Sequence, residues 1–316
     1  MTNLLKRLRN GATTLALAAV ASVSFASQPL LAQTAETQAP AKATATTDIS
    51  PAMWVVRDED TTIYMFGTVH VLRPGLNWLK GDVKAAFDRA DELVLEVIEP
   101  EDPAVVQGIL MSKASNPQGT TLRSMLPDEL RTKYETTLTG MNVPPAAFDQ
   151  MKPWFAGITL TTLPLLMQGY DLNSGAEKVL TKAAKDVSKP LGQLETIEQQ
   201  LDIFDSLNAE AQIEFLQVAV DGVPDVTKQI DDMVDAWGKA DLVRLDRLLN
   251  EGFETYPGLY DAILTKRNAN WVSWIQERMK KPGTVFMAVG AAHLVGKDSV
   301  QAQLAQTGIE SERVAK

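Results

Sequence analysis

Apolar residues recur along this chain with two different periods. From Met53, the stretch MWVVRDEDTTIYMFGTVH places two runs of β-branched and aromatic residues on either side of the acidic turn Asp58-Glu59-Asp60, the pattern of a β-hairpin. Leu76, Leu79, Val83, Ala86, Phe87 and Ala90 then fall at helical spacing, which predicts a helix over residues 76–90. ELVLEV at 92–97 has the branched apolar content of a short buried strand. Residues 104–278 are dominated by helical patterns broken by Gly and Pro, with helices expected over 126–138, 154–167, 176–187, 209–220, 225–237 and 259–279. One short run interrupts them: KPLGQLE at 189–195 reads as a strand begun after a proline. GTVFMAVGAAHLVG at 283–296 reads as a buried strand, a glycine turn and the start of a helix reaching Gln306. These elements predict an α/β class, helix-rich α+β, in which a small central sheet is flanked by many helices.

The start of the chain has a different character. Lys6, Arg7 and Arg9 precede a small-residue apolar run from Ala12 to Ala26, too short to span a bilayer comfortably, so residues 1–26 read as an export signal. Cleavage is expected after Ala26, with Ala32 as a second candidate. Residues 27–50 are expected to form a flexible tether, since QTAETQAPAKATATTDIS at 33–50 is rich in Ala, Thr and Gln and has no large apolar residue before Ile49. Residues 51–316 then suffice for one large domain or two packed halves. The expected location is the periplasm or the medium, with no stable membrane anchor after cleavage.

Composition narrows the function classes. The chain contains no cysteine, which excludes disulfides and cysteine nucleophiles, and it has no Gly-x-Ser-x-Gly elbow. Its formal charge of -10 falls to about -13 once Lys6, Arg7 and Arg9 leave with the signal, and no Lys/Arg cluster offsets this, so nucleic acid is not an expected partner.

The candidate chemistry lies in the two histidines of the sequence, in FGTVH at 66–70 and VGAAH at 289–293. In both, an apolar strand runs into glycine and the histidine follows three residues later. This spacing places His70 and His293 just beyond the carboxyl ends of strands, where open α/β sheets build ligand sites. Alternation along ELVLEV puts Glu96 on one face of that strand with Val94 and Ile98, where a buried carboxylate requires a cation or several donors; the alternative is that the strand leaves the core there and Glu96 begins the acidic patch of Glu99, Glu101 and Asp102. His70, His293 and Glu96 together suffice as ligands for a divalent metal that activates water; alternatively, Glu96 is a general base. Arg267 and Asn268, on the last long helix, are candidates to bind a substrate carbonyl or carboxylate. Glu195 is either a site residue or a helix N-terminal charge, and Lys152-Pro153-Trp154 is read as a helix start with a packed indole in preference to a binding platform.

The order of TTIYMFGTVHVLRPG, DELVLEV and VFMAVGAAHLVG, with KPW at 152–154, GYD at 169–171, KPLGQLE at 189–195 and RN at 267–268 between them, resembles the TraB/GumN family, related to the Tiki proteins. The resemblance spans nearly all of the chain after the export signal and tether. It implies a fold like that of erythromycin esterase-type enzymes and a peptidase- or esterase-like hydrolase acting on a peptide or small-molecule substrate. His70 and His293 would be its motif histidines and Glu96 its acidic partner. It further implies Mn(II) or Co(II) as activator, while ligand softness alone would also suit Zn(II); some esterase-like relatives use His/Glu acid-base chemistry instead. The competing expectation is a non-catalytic periplasmic binding protein for a peptide or polysaccharide precursor.

Overall fold

A computed structural model of the protein describes residues 46–250 and 257–314. The expected export signal and most of the expected tether lie outside these residues. Contacts divide the chain into two compact units. Of the described residues, one takes in 99–168 and 197–229, and the other takes in 46–98, 169–196, 230–250 and 257–314.

The first unit is built from helices, among them Pro103–Ala114, Asp128–Gly140, Pro153–Met167, Ile197–Asp205 and Ala209–Gly222. The sequence pattern does not separate the first and fourth of these. Pro103 occupies the first turn of its helix after the Asp102 cap, where its missing N–H costs nothing. Trp154, fully buried near the start of Pro153–Met167, stacks on Phe204 at 6.0 Å between ring centroids, as expected of a packed indole.

The second unit holds the sheets. β1 (Thr47–Asp48) pairs in parallel with β4 (Leu76–Asn77). A six-stranded mixed sheet runs in the order β6 (Leu191–Gln193), β5 (Glu92–Leu95), β7 (Gly283–Gly290), β3 (Thr61–Thr68), β2 (Met53–Arg57), β8 (Glu312–Arg313). β6, β5, β7 and β3 are parallel, whereas β2 pairs antiparallel with β3 as the expected hairpin. β7 lies at the centre, and its last six residues are buried, as a continuous apolar run in a parallel strand requires. Val56, Ile63, Met65, Val94, Val285 and Met287 pack with Trp271 and Ile275 of the helix Lys266–Arg278 into one apolar cluster.

Three expectations change at this level. The helix predicted over 76–90 begins only at Gly81, because Leu76 and Asn77 join β1 and Trp78 turns inward to stack on Phe66 at 5.2 Å. The end of the expected tether is ordered: Thr47 N–H donates to Gly75 O, Ile49 N–H to Asn77 O and Ser50 N–H to Gly238 O, so backbone pairing supplies what apolar burial does not. The long helix expected over 259–279 carries a π-helical segment, Asp261–Thr265, before Lys266–Arg278. Among the described residues, no helix is long and apolar enough to cross a membrane.

One buried hydrogen bond ties the end of β3 in place. Trp237 Nε1 donates to Gly67 O at 2.8 Å, and the Trp237 ring sits edge-on to both Phe66 and Trp78. Trp237→Phe keeps the apolar ring but leaves that carbonyl without its donor, and is expected to lower stability by about 1–3 kcal/mol in urea unfolding. An unchanged midpoint would show that this bond does not hold the strand end.

Candidate functional site

Four parallel strands deliver polar residues to one end of the sheet. Glu195 lies two residues beyond β6, Glu96 directly follows β5, His293 lies three residues beyond β7, and His70 lies two beyond β3. Their parallel register puts these carboxyl ends side by side, the position at which open α/β sheets place ligands. β5 stops at Leu95, yet Glu96 is buried, because the chain does not turn outward there: Leu194 and Glu195 donate their N–H groups to the Glu96 carbonyl.

Gly290 explains how the groups approach one another. Its φ of -50° is open to any residue, so what favours glycine here is space. A Cβ at this position would lie 3.1 Å from Glu96 Oε1, 3.3 Å from His70 Nε2 and 3.6 Å from His293 Cδ2. His70, Glu96 and His293 therefore converge on one backbone position.

The centre of the site is a guanidinium. Arg267, on the helix following the π-helical segment, donates Nη2 to Glu96 Oε2 at 2.6 Å and to Glu195 Oε2 at 2.8 Å, and Nε to Glu195 Oε1 at 2.9 Å. Its Nη1 donates to Ile263 O at 3.2 Å and lies 3.1 Å from His293 Nε2. Glu96 Oε1 accepts Gly290 N–H at 2.6 Å. Trp271 Nε1 donates to Glu195 Oε1 at 3.1 Å, and the Trp271 ring lies 4.3 Å from that of His293.

These partners fix the state of His293. A guanidinium only donates, so Nε2 must accept and the imidazole proton must sit on Nδ1, which lies 2.6 Å from Asn268 Oδ1. Asn268 is oriented in turn by donating Nδ2 to Asp298 O. Burial, then the Arg267 charge, push the His293 pKa well below the usual imidazole value, which agrees with a neutral ring. For Glu96, burial alone would favour the acid form. Arg267 foremost, then the two imidazoles and the Gly290 N–H, outweigh it and hold the carboxyl at about 2.

His70 belongs to a second pair. Its Nδ1 lies 2.6 Å from Glu177 Oε1, an ion-pair distance whose angle departs from that of an aligned hydrogen bond. Thr68 Oγ1 also donates to that carboxylate oxygen. Glu177 sits in the first turn of the helix Ala176–Asp186, whose start is clamped to the motif backbone by Ala176 N–H donating to Val69 O. A Cβ on Gly175 would fall 2.1 Å from the His70 carbonyl oxygen, so only glycine permits this approach. Burial lowers the His70 pKa, but the Glu177 carboxylate overcomes this and the net direction is upward.

Over residues 52–313 the sequence matches the family model described as the TraB/PrgY/gumN family. The chain belongs to this family. Protein YbaP of Escherichia coli (strain K12), which is uncharacterized, is 22% identical over 255 residues, covering 80% of this chain and 92% of YbaP. YbaP of Shigella flexneri matches to the same extent. No solved structure matches the chain.

In this TraB/PrgY/gumN chain, the five residues expected at the site lie at the same sheet end, but two of them meet different partners from those expected. Arg267 and Asn268 direct their polar groups at Glu96, Glu195 and His293 rather than outward to a substrate. Glu195 lies in the same cluster, accepting from Arg267 and Trp271. Glu177 and Thr68 carry no distinguishing signal in the sequence, since an acidic residue in a first helical turn is commonplace.

The ligand set His70, Glu96 and His293 does not fit a metal in this arrangement. His293 Nε2 faces Arg267, each Glu96 oxygen already accepts a hydrogen bond, and a fixed positive charge lies among the donors. Among the described residues, no group of three or more His, Asp or Glu side chains is placed to hold a metal ion.

The depressed Glu96 carboxyl makes a pH-dependent stability prediction. Its contribution is present above the ordinary carboxylate range and is lost as pH falls towards about 2. Glu96→Gln should therefore cost roughly 3 kcal/mol in unfolding free energy at pH 7, with the deficit shrinking progressively below pH ~4.5. A deficit that does not change with pH would show that the Glu96 charge is not what stabilises the fold.

Proposed function

We propose that this chain is an exported hydrolase that cleaves an amide or ester by acid-base catalysis, with His70 as the base and Glu177 as the residue that orients it. The observation that carries this reading is the His70–Glu177 pair set against a second imidazole that is locked neutral. With Nδ1 facing the carboxylate, His70 keeps its proton there and presents a basic Nε2 on the Gly290 side. Glu96 is unsuited to either proton-transfer role: it remains ionised and both its oxygens are engaged.

In the reaction, His70 Nε2 removes a proton from water as the water oxygen bonds to the substrate carbonyl carbon. The tetrahedral intermediate then expels the amine or alcohol, which takes the proton back from His70. Glu177 stays ionised throughout and stabilises the transient imidazolium. The export signal read in residues 1–26 supports a periplasmic or secreted site of action on a peptide or small ester.

A binding role without turnover, for a peptide or polysaccharide precursor, gains weight from one feature. The guanidinium engages its donors with neighbouring residues, so it offers none to a developing oxyanion. Turnover assays on untagged, chelator-treated protein with p-nitrophenyl esters and a peptide library separate the two readings. Hydrolysis should fall by about 10²-fold or more in His70→Gln. Because His70 acts in its neutral form, activity should rise with pH through an ionisation above the ordinary ~6.5, and Glu177→Gln should move that rise to lower pH by removing the negative neighbour. Full turnover in His70→Gln would refute the base assignment; ligand binding without turnover by the unmodified protein would favour the binding role.

A further inference from the structure

The donors around Arg267 would make a familiar set if the guanidinium were absent. Glu96 offers Oε2, Glu195 both oxygens and His293 Nε2, and each now meets a guanidinium nitrogen at 2.6–3.1 Å. Two carboxylates and one imidazole suit Co(II), Mn(II) or Zn(II). The His293 tautomer also suits a metal, since Nδ1–H is held by Asn268 while Nε2 keeps its lone pair, the arrangement found behind many ligating histidines. All three residues are nearly excluded from water, with side-chain exposures of 5, 11 and 2%. An isolated pair of carboxylates at this depth would repel, so a cation must accompany them.

We infer that the Arg267 guanidinium is the resident cation of this site, neutralising Glu96 and Glu195 and capping His293 Nε2 in place of any divalent metal, and that the protein binds no metal there while the guanidinium remains. Geometry adds a reason for arginine over lysine. The guanidinium reaches two carboxylates, the Ile263 carbonyl and an imidazole at once, which one ammonium could not do at these positions. The π-helical segment Asp261–Thr265 ends one residue before Lys266 and supplies the Ile263 carbonyl that Nη1 binds. The inference stands apart from the hydrolase reading, because it concerns what neutralises the carboxylates and not what the site cleaves.

Cobalt titration of chelator-treated, untagged full-length protein at neutral pH tests it, with the visible Co(II) spectrum as readout. The unmodified protein should show no stoichiometric Co(II) band and no rise in unfolding temperature on adding Mn(II) or Co(II). Arg267→Ala should acquire one equivalent of Co(II), with the intensified absorbance of a nitrogen- and oxygen-ligated ion, and the added change His293→Ala should abolish it. The inference is overturned if the unmodified protein binds one equivalent of Co(II) whose spectrum His293→Ala removes. It is equally overturned if Arg267→Ala, folded by circular dichroism, binds no more Co(II) than its parent. Should Arg267→Ala fail to fold, the unmodified protein decides alone: a stoichiometric, His293-dependent band contradicts the inference, and its absence together with an unshifted unfolding temperature supports it.

Discussion

A guanidinium buried among two carboxylates and an imidazole is the constraint on which the rest of the site depends. Removing any charge from this group exposes another: without Arg267, Glu96 and Glu195 would be uncompensated at a depth where a lone charge costs several kcal/mol. The same guanidinium decides the chemistry of His293, because a group that only donates forces the facing nitrogen to accept. One side chain thus sets the ionisation of Glu96 and the tautomer of His293. Both follow from the strand order, since β6, β5, β7 and β3 lie adjacent and end at one level.

Around this fixed cluster the two Gly-x-x-His motifs behave differently. His293, on a 3-10 turn after the central strand, is enclosed and tied at both nitrogens. His70 keeps a side-chain exposure of 9% and faces a carboxylate that is itself 21% exposed. Similar sequence spacing therefore yields one enclosed imidazole tied at both nitrogens and one that is partly exposed beside a carboxylate. The difference arises from what packs behind each: Arg267 and Asn268 in one case, and the start of the helix Ala176–Asp186 in the other.

Much of this was legible in the sequence. The hairpin, the central strand and the placement of His70, Glu96 and His293 at strand ends follow from apolar runs that stop at glycine or at a charge, and those runs are long enough to define the strands. The partnerships were less accessible. Arg267 looks like a substrate-binding residue because helical spacing shows which way it points but not that two glutamates already wait there. Glu177 stands over a hundred residues from His70, and the feature that brings them together, a glycine with no room for a Cβ against a carbonyl, is indistinguishable in sequence from any helix-start glycine. The helix predicted over 76–90 fails at its first turn for a related reason: Leu76 and Leu79 fit the helical period, but backbone pairing with Thr47 and Asp48 claims residues 76 and 77.

Arg267 holds His293 neutral with its proton on Nδ1, and His70, beside Glu177, is the imidazole left to titrate. With two histidines in the sequence, long-range proton–nitrogen correlation spectra of untagged protein resolve both rings without crowding. One ring should remain neutral and Nδ1-protonated from pH ~5 to ~8, assigned to His293 by His293→Ala, and the second should titrate with a midpoint above the ordinary ~6.5. A His293 ring that carries its proton on Nε2, or that becomes charged within that range, would contradict this assignment.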